Sequence, residues 1–307
     1  MYDIKRAGRK NGPVIQQKKN GEIEYLTFPM LDATGLVKDL FSTRLGGVSK
    51  GIYSSLNLGF GRGDADSNVL ENYKRVGQVL GTSPENMVRS SQTHTTNIKV
   101  VTNADRGKGI VRPNDENDID GLITKEKGLV LVTSYADCVP LYFVDPVNEV
   151  IGLAHSGWRG TANYMGARMV EQMQTHFGSR PEDIVAAIGP SICQECYEVS
   201  EDVAEVFLSL ELKQQEALHI LKKSGIYEGL SGSPSDGKIV TSGKAPGKYQ
   251  LDLWLANAVI LVSAGIRPEN LSITDICTCH NPAYLFSHRA SQGKRGGLCA
   301  FLMLKES

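Results

Sequence analysis

No run of 18 apolar residues occurs anywhere in the 307-residue sequence. A membrane-spanning helix needs about that many, so no membrane partner is expected. The basic N-terminal cluster Lys5, Arg6, Arg9 and Lys10 is not followed by the apolar core of a secretory signal, and a cytoplasmic location is expected. Net charge is almost absent as well: 33 Lys and Arg against 34 Asp and Glu leave a formal charge of -1. A nucleic-acid-binding protein would normally carry a basic excess or stripe, so nucleic acid is not an expected partner, and the N-terminal cluster reads as a solvated edge. The sequence has no internal repeat, no low-complexity block, no P-loop and no Gly-x-Ser-x-Gly elbow. It also lacks the His-x-Glu element that zinc nucleobase deaminases pair with Pro-Cys-x-x-Cys. Histidine is scarce, six residues in all, too few to serve a multicopper centre.

What is present is an ordinary globular composition, 41% hydrophobic and 22% charged. A chain this long can bury a large core without a disulfide or metal staple, so a structural metal is not needed for folding and a functional one is favoured. One α/β domain over residues 1–307 is expected. The first 30 residues read as a strand pair, with Gly21 and Glu22 leading into an extended Ile23–Phe28. Val69, Tyr73, Val76 and Leu80 recur at helical spacing, and Gly81 suits the end of a helix over 68–80. Residues 129–133, 139–144 and 150–154 are short apolar runs. Asp145-Pro146 starts a turn between the last two, which should make them adjacent antiparallel strands. Thr161 should cap a helix over 161–177 carrying the stripe Met165, Met169, Met173 and Phe177, and Gly178 should end it. Residues 184–188 and 271–276 read as strands and 253–264 as a helix. Residues 225–249, rich in Gly, Ser, Lys and Pro, read as a surface loop or insertion.

Three segments put chemistry at strand edges: Gln92-Thr93-His94, Ala136-Asp137-Cys138, and His155-Ser156-Gly157-Trp158-Arg159-Gly160-Thr161. Antiparallel pairing brings the start of one strand, at Cys138, beside the end of the next, at His155. Two imidazoles and one thiolate suit Zn²⁺, and three protein donors leave the fourth position open, as in a catalytic site. The same residues also fit a buried Cys138 in a strand core and two histidines satisfied by hydrogen bonds. Arg159, Gly160 and Thr161 precede the expected long helix, whose N-terminus favours anions. Arg44 with Gly46 and Gly47 could make a second anion-contacting loop. In a reducing compartment the six cysteines favour metal or catalytic roles. Cys193 and Cys196 form a Cys-x-x-Cys, but Cys277 and Cys279 have a single residue between them, which is poor spacing for a four-cysteine zinc site.

Several blocks in order resemble the YfiH-like, laccase-domain family, formerly described as multicopper polyphenol oxidases and now mostly as purine nucleoside phosphorylases. They include residues 42–49, Asn57-Leu58-Gly59, Gln92-Thr93-His94, Asp120-Gly121-Leu122-Ile123-Thr124, Ala136-Asp137-Cys138-Val139-Pro140, His155 to Thr161, Gly189-Pro190-Ser191-Ile192, Cys196-Tyr197-Glu198-Val199, and Phe286-Ser287-His288-Arg289. The resemblance implies an α-β-β-α sandwich with mixed sheets, similar to certain deamidase toxins. It implies zinc on His94, Cys138 and His155. The implied activity is phosphorolysis of adenosine, inosine, guanosine and methylthioadenosine, with some adenosine deamination, in a monomer or small homo-oligomer. Two departures stand out. Asn72 is followed by Tyr73 where the family commonly has Asn-Arg, and the C-terminal block reads Ser287-His288-Arg289-Ala290, then Lys294-Arg295-Gly296-Gly297. The cationic positions of that tail are therefore shifted from the usual pattern.

For phosphorolysis, Arg44, Arg159 and the helix start at Thr161 are the expected anion holders. His155 and Cys138 are the expected catalytic centre. Asp137 is expected either to transfer a proton or to support a metal-bound imidazole. Two other enzyme classes compete: a copper-dependent phenol oxidase at the same ligands, and a Cys/His hydrolase or amidase with Cys138 as nucleophile, a role linked by resemblance to cell-wall-precursor editing. A non-catalytic partner protein is the remaining alternative.

Overall fold

In the strand Leu298–Leu304 every side chain is buried, yet successive residues leave in opposite directions. Leu298, Ala300, Leu302 and Leu304 join one apolar cluster, while Cys299, Phe301 and Met303 join another. The strand Val139–Asp145 divides in the same way. Leu141 and Phe143 face one cluster, Tyr142 and Val144 a second. Period-two alternation with both faces apolar is the mark of a sheet covered on both sides, and it dictates a layered molecule.

A computed structural model describes residues 1–7, 14–227 and 237–306. Arg9 and Lys10 of the basic cluster lie outside the described residues. One six-stranded sheet is ordered Gln16–Asn20, Ile23–Thr27, Val37–Ser42, Leu298–Leu304, Val130–Tyr135, Met87–Arg89. The other is ordered Leu271–Ile273, Val185–Ile188, Val139–Asp145, Val150–Ser156, Gly121–Thr124, Ile98–Val100. Both mix parallel and antiparallel pairs. Their facing sides share one core, with Leu131 and Leu302 from the first sheet meeting Ile151 and Leu153 from the second. Tyr142 donates its hydroxyl across this gap to the Leu40 carbonyl at 3.2 Å.

Outer helices complete an α-β-β-α sandwich, as the resemblance implied. The helix Asp66–Leu80 covers the first sheet through Val69, Tyr73 and Val76, and ends on Gly81 at φ +72°. The helices Met165–Phe177 and Leu253–Ser263 cover the second. Asp252 caps the latter by accepting from Leu255 N–H. No helix among the described residues is long and apolar enough to cross a membrane.

Three expectations change. The helix expected over 161–177 is two helices, Trp158–Ala162 and Met165–Phe177, because Tyr164 sits in the left-handed region at φ +62°. The strand expected over 271–276 stops at Ile273, where the Thr274 hydroxyl takes the Ile276 N–H. Residues 225–249 are not simply a loop. Residues 228–236 lie outside the described residues, but Val240–Ser242 and Lys248–Leu251 pair with each other and the latter with Glu198–Ser200 in a three-stranded sheet. Buried Val240 and Leu251 anchor it.

Candidate metal centre and pocket

The expected hairpin forms: Val139–Asp145 pairs antiparallel with Val150–Ser156 over seven residue pairs, with Pro140 opposite His155. That register places Cys138, one residue earlier, opposite Gly157. His94 arrives from a separate loop between Met87–Arg89 and Ile98–Val100. Gln92 holds that loop by accepting the Ser134 N–H at 2.6 Å and donating to the Ser134 carbonyl at 2.9 Å. The donor atoms of His94, Cys138 and His155 all lie within 4.8 Å of one another. The two imidazoles meet edge to face with centroids 4.9 Å apart.

Gly157 borders the centre closely. A Cβ there would stand 3.0 Å from His94 Cδ2 and 3.1 Å from Cys138 Sγ. The glycine leaves open the space on which the three donors converge. One thiolate and two imidazoles, gathered around a cradle that a methyl group would fill, fit a tetrahedral divalent ion with one position open.

Asp120 organises the centre. It is fully buried and accepts the backbone N–H groups of Thr93, His94 and Thr95 at 3.0–3.1 Å. These bonds hold His94 in the left-handed region at φ +68°, a conformation that costs about 1–3 kcal/mol for a non-glycine residue. Asp120 Oδ1 also lies 2.7 Å from His155 Nδ1, which fixes the proton there and leaves Nε2 free as a ligand. Burial opposes the Asp120 charge, but His155 and the backbone donors offset it and hold the carboxyl below its usual range. Burial also opposes the Cys138 thiolate, yet His155 and His94 lower that thiol to about 6. At His155 burial disfavours the imidazolium, while Cys138 and Asp120 raise it to about 9. Without a metal the centre is thus a thiolate beside an imidazolium, and metal binding would release the imidazolium proton.

Asp137 does not touch His155. It lies at φ +91°, and its Oδ1 and Oδ2 accept from Thr278 Oγ1 at 2.6 Å and Arg289 N–H at 2.7 Å. The carboxylate that supports the imidazole is Asp120. The sequence blocks contained it, but nothing there distinguished it from Asp137.

A cavity of about 250 Å³ opens beside the centre, lined by His94, Cys138 and His155 together with Arg62, Arg89 and Arg295. Among the described residues no carboxylate lines it. Arg295 Nε is buried without a hydrogen-bond partner, and burial together with the nearby Arg62 guanidinium pulls Arg295 down to about 10. Arg89 donates Nε to Ser134 Oγ at 3.0 Å.

The anion holders expected from sequence lie elsewhere. Arg44 donates to the carbonyls of Ser54 and Pro282 at 2.8 and 2.7 Å and stacks on Phe286. Gly46 and Gly47 are glycines because a Cβ would strike the Glu22 carbonyl at 2.4 Å and the Ser55 carbonyl at 2.2 Å. Thr161 is fully buried, its hydroxyl bonded to the Gly157 carbonyl, Ser156 and Asn257. Arg159 is exposed, over the Trp158 ring. Arg295 belongs to the cationic C-terminal block noted in the sequence, whereas local spacing gave no signal for Arg62 and Arg89, which separate segments bring beside it.

An α-β-β-α sandwich with a nitrogen–sulfur centre at the end of its central hairpin is the class this geometry defines. The chain belongs to the family described as multi-copper polyphenol oxidoreductase laccase, whose sequence pattern matches residues 38–305. It is 35% identical over 268 residues to purine nucleoside phosphorylase YlmD of Bacillus subtilis (strain 168), covering 87% of this chain and 88% of that one. Adenosine deaminase RL5, from an unknown prokaryotic organism, is 30% identical over 258 residues, 82% and 88% of the two chains. The crystal structure of hypothetical protein YfiH from Bacillus licheniformis matches with a TM-score of 0.81 at 33% identity, covering 94% of this chain and 99% of that one.

Proposed function

We propose that this chain is a zinc-dependent purine nucleoside phosphorylase. It would convert adenosine, inosine, guanosine or methylthioadenosine and phosphate into the free base and the ribose 1-phosphate product, with adenosine deamination as a side reaction. The names of the relatives support the reaction class. The observation that carries the reading is the pocket itself, where three guanidinium groups and no carboxylate stand beside the His/Cys/His centre. Deamination alone needs water and no anion site. Phosphorolysis needs a dianion held against the sugar.

His94, Cys138 and His155 would hold the metal, and Asp120 would orient His155. Zinc suits the set better than a copper cluster, because two of the six histidines enter the centre. Bound zinc would supply Lewis-acid polarisation of a substrate oxygen. Arg295, Arg62 and Arg89 would take the phosphate oxygens, aiming one at C1′. The C1′–O bond forms, the glycosidic bond breaks, and its electron pair leaves with the purine, which takes up a proton from water. Holding both reactants can supply on the order of 7 kcal/mol or more of the barrier. Arg159, exposed over the Trp158 ring and outside the pocket lining, has no assigned part in holding phosphate. Asp137, with both oxygens engaged, would act as a positioning residue for the Cys138 turn.

His155→Ala should lose metal and phosphorolysis together. Turnover that survives loss of the metal would refute the metal-dependent reading. A second reading keeps Cys138 as a nucleophile in a hydrolase or amidase, since two imidazoles flank the thiol. It requires a metal-free centre.

A further inference from the structure

A second group of ligand-type side chains lies outside this centre. The strands Val185–Ile188 and Leu271–Ile273 pair in parallel, with Ile188 opposite Ile273. Their alignment continues beyond the strands as a parallel bridge between Ser191 and Cys277. The two following loops therefore leave the same sheet side by side. One carries Cys193 and Cys196, the other Cys277 and His280. The donor atoms of these four residues all lie within 4.8 Å of one another.

The arrangement has the features of a ligand set. For Zn–S bonds of about 2.3 Å and Zn–N bonds of about 2.0–2.1 Å, a tetrahedron places sulfur and nitrogen on the order of 3.6 Å apart. Cys193 Sγ lies 3.9 Å from His280 Nδ1. Cys193 N–H donates to Cys277 Sγ at 3.3 Å, a contact that favours a thiolate. His280 turns Nδ1 to the sulfurs and Nε2 towards Glu195, 3.5 Å away, the outward carboxylate that commonly orients a ligating imidazole. Cys193 and Cys277 are buried, and none of the six cysteines is in a disulfide. The spacing is Cys-x-x-Cys with Cys-x-x-His, regular once His280 replaces Cys279 as the fourth donor.

We propose that Cys193, Cys196, Cys277 and His280 form a second, closed zinc site that staples these two loops together. Three thiolates and one imidazole fill all four positions, the pattern of a structural site, in contrast to the open three-donor centre. The staple also bears on the Cys138 turn. Ile192 N–H donates to the Asp137 carbonyl at 3.0 Å, Thr278 donates to the Asp137 carboxylate at 2.6 Å, and Arg289 donates to the Cys196 carbonyl at 3.0 Å. Asp137 is thus held from both stapled loops. This site stands whether or not the pocket performs phosphorolysis.

The test is metal content of the full chain by mass spectrometry, with thiols counted by alkylation. Wild type should hold about two zinc ions, and Cys138→Ser and Cys277→Ser about one each. Should Cys277→Ser fail to fold, Cys138→Ser alone decides. Loaded with Co²⁺ it should show tetrahedral d–d bands and strong thiolate charge transfer. Its Cys193, Cys196 and Cys277 should resist alkylation until a chelator is added. A Cys138→Ser chain without metal, with those thiols freely alkylated, would overturn the proposal. So would a disulfide among them in protein purified under reducing conditions.

Discussion

Arg295→Met separates the proposed phosphate site from the fold. Arg295 Nε is buried with no partner, and its Nη1 donates only to the neighbouring Gly296 carbonyl at 3.0 Å. A hydrogen bond to a charged acceptor contributes about 1.5–3 kcal/mol. At about 1.4 kcal/mol per factor of ten, kcat/KM for phosphate should fall about 10- to 150-fold. Stability should move the other way. The unsatisfied buried donor costs about 1–3 kcal/mol in the native state, and Met keeps the apolar stem while removing it. Tm should therefore hold or rise as phosphate use collapses. The assay is initial rate against phosphate at saturating adenosine, with adenine and inosine measured in the same reactions, beside a thermal melt. Adenine formation should fall far more than inosine formation, and Arg295→Lys should recover part of the loss. An unchanged kcat/KM for phosphate would refute the reasoning. A large drop in Tm would show instead that Arg295 serves the fold.

Two further outcomes follow from the metal centre. Asp120→Asn keeps the size but removes the charge that His155 Nδ1 and three backbone donors face, and zinc affinity should fall about 10- to 100-fold; unchanged affinity in a chelator competition would remove Asp120 from the centre. Cys138 should resist alkylation in the metal-loaded chain and react quickly after chelation at pH 7. In the chelated chain the thiolate fraction grows with pH, so the rate should climb through pH about 6 and then level. Equal rates with and without metal would mean that Cys138 is no ligand, and would move the nucleophile reading to first place.

The approach of Cys138 and His155 was legible because it depends on short-range pattern, whereas His94 was placed beside them only by the family resemblance. Two short apolar runs on either side of Asp145-Pro146 specify the hairpin, and its register alone carries Cys138 to the end where His155 lies. The helix Leu253–Ser263 and the Gly81 stop of Asp66–Leu80 were equally local. The break at Tyr164 was not, because the Met stripe begins only at Met165 and carries no information on residues 161–164. The residues expected to hold an anion lie outside the pocket for a related reason. Arg159 and Thr161 looked like a helix start aimed at His155, but the helix they belong to is five residues long and Thr161 faces inward. Arg62, Arg89 and Arg295 converge only through tertiary packing. The cysteine group was hidden by spacing, since Cys279 drew the eye and His280 completes the set.

The most direct test of the central claim is product analysis. Zinc-loaded chain is incubated with adenosine, with and without inorganic phosphate, and the products are separated. Adenine and ribose 1-phosphate, formed in equal amounts and only when phosphate is present, are the predicted result. Inosine alone, at the same rate in both reactions, would contradict phosphorolysis and leave a deaminase, and the absence of any product would remove nucleosides as substrates.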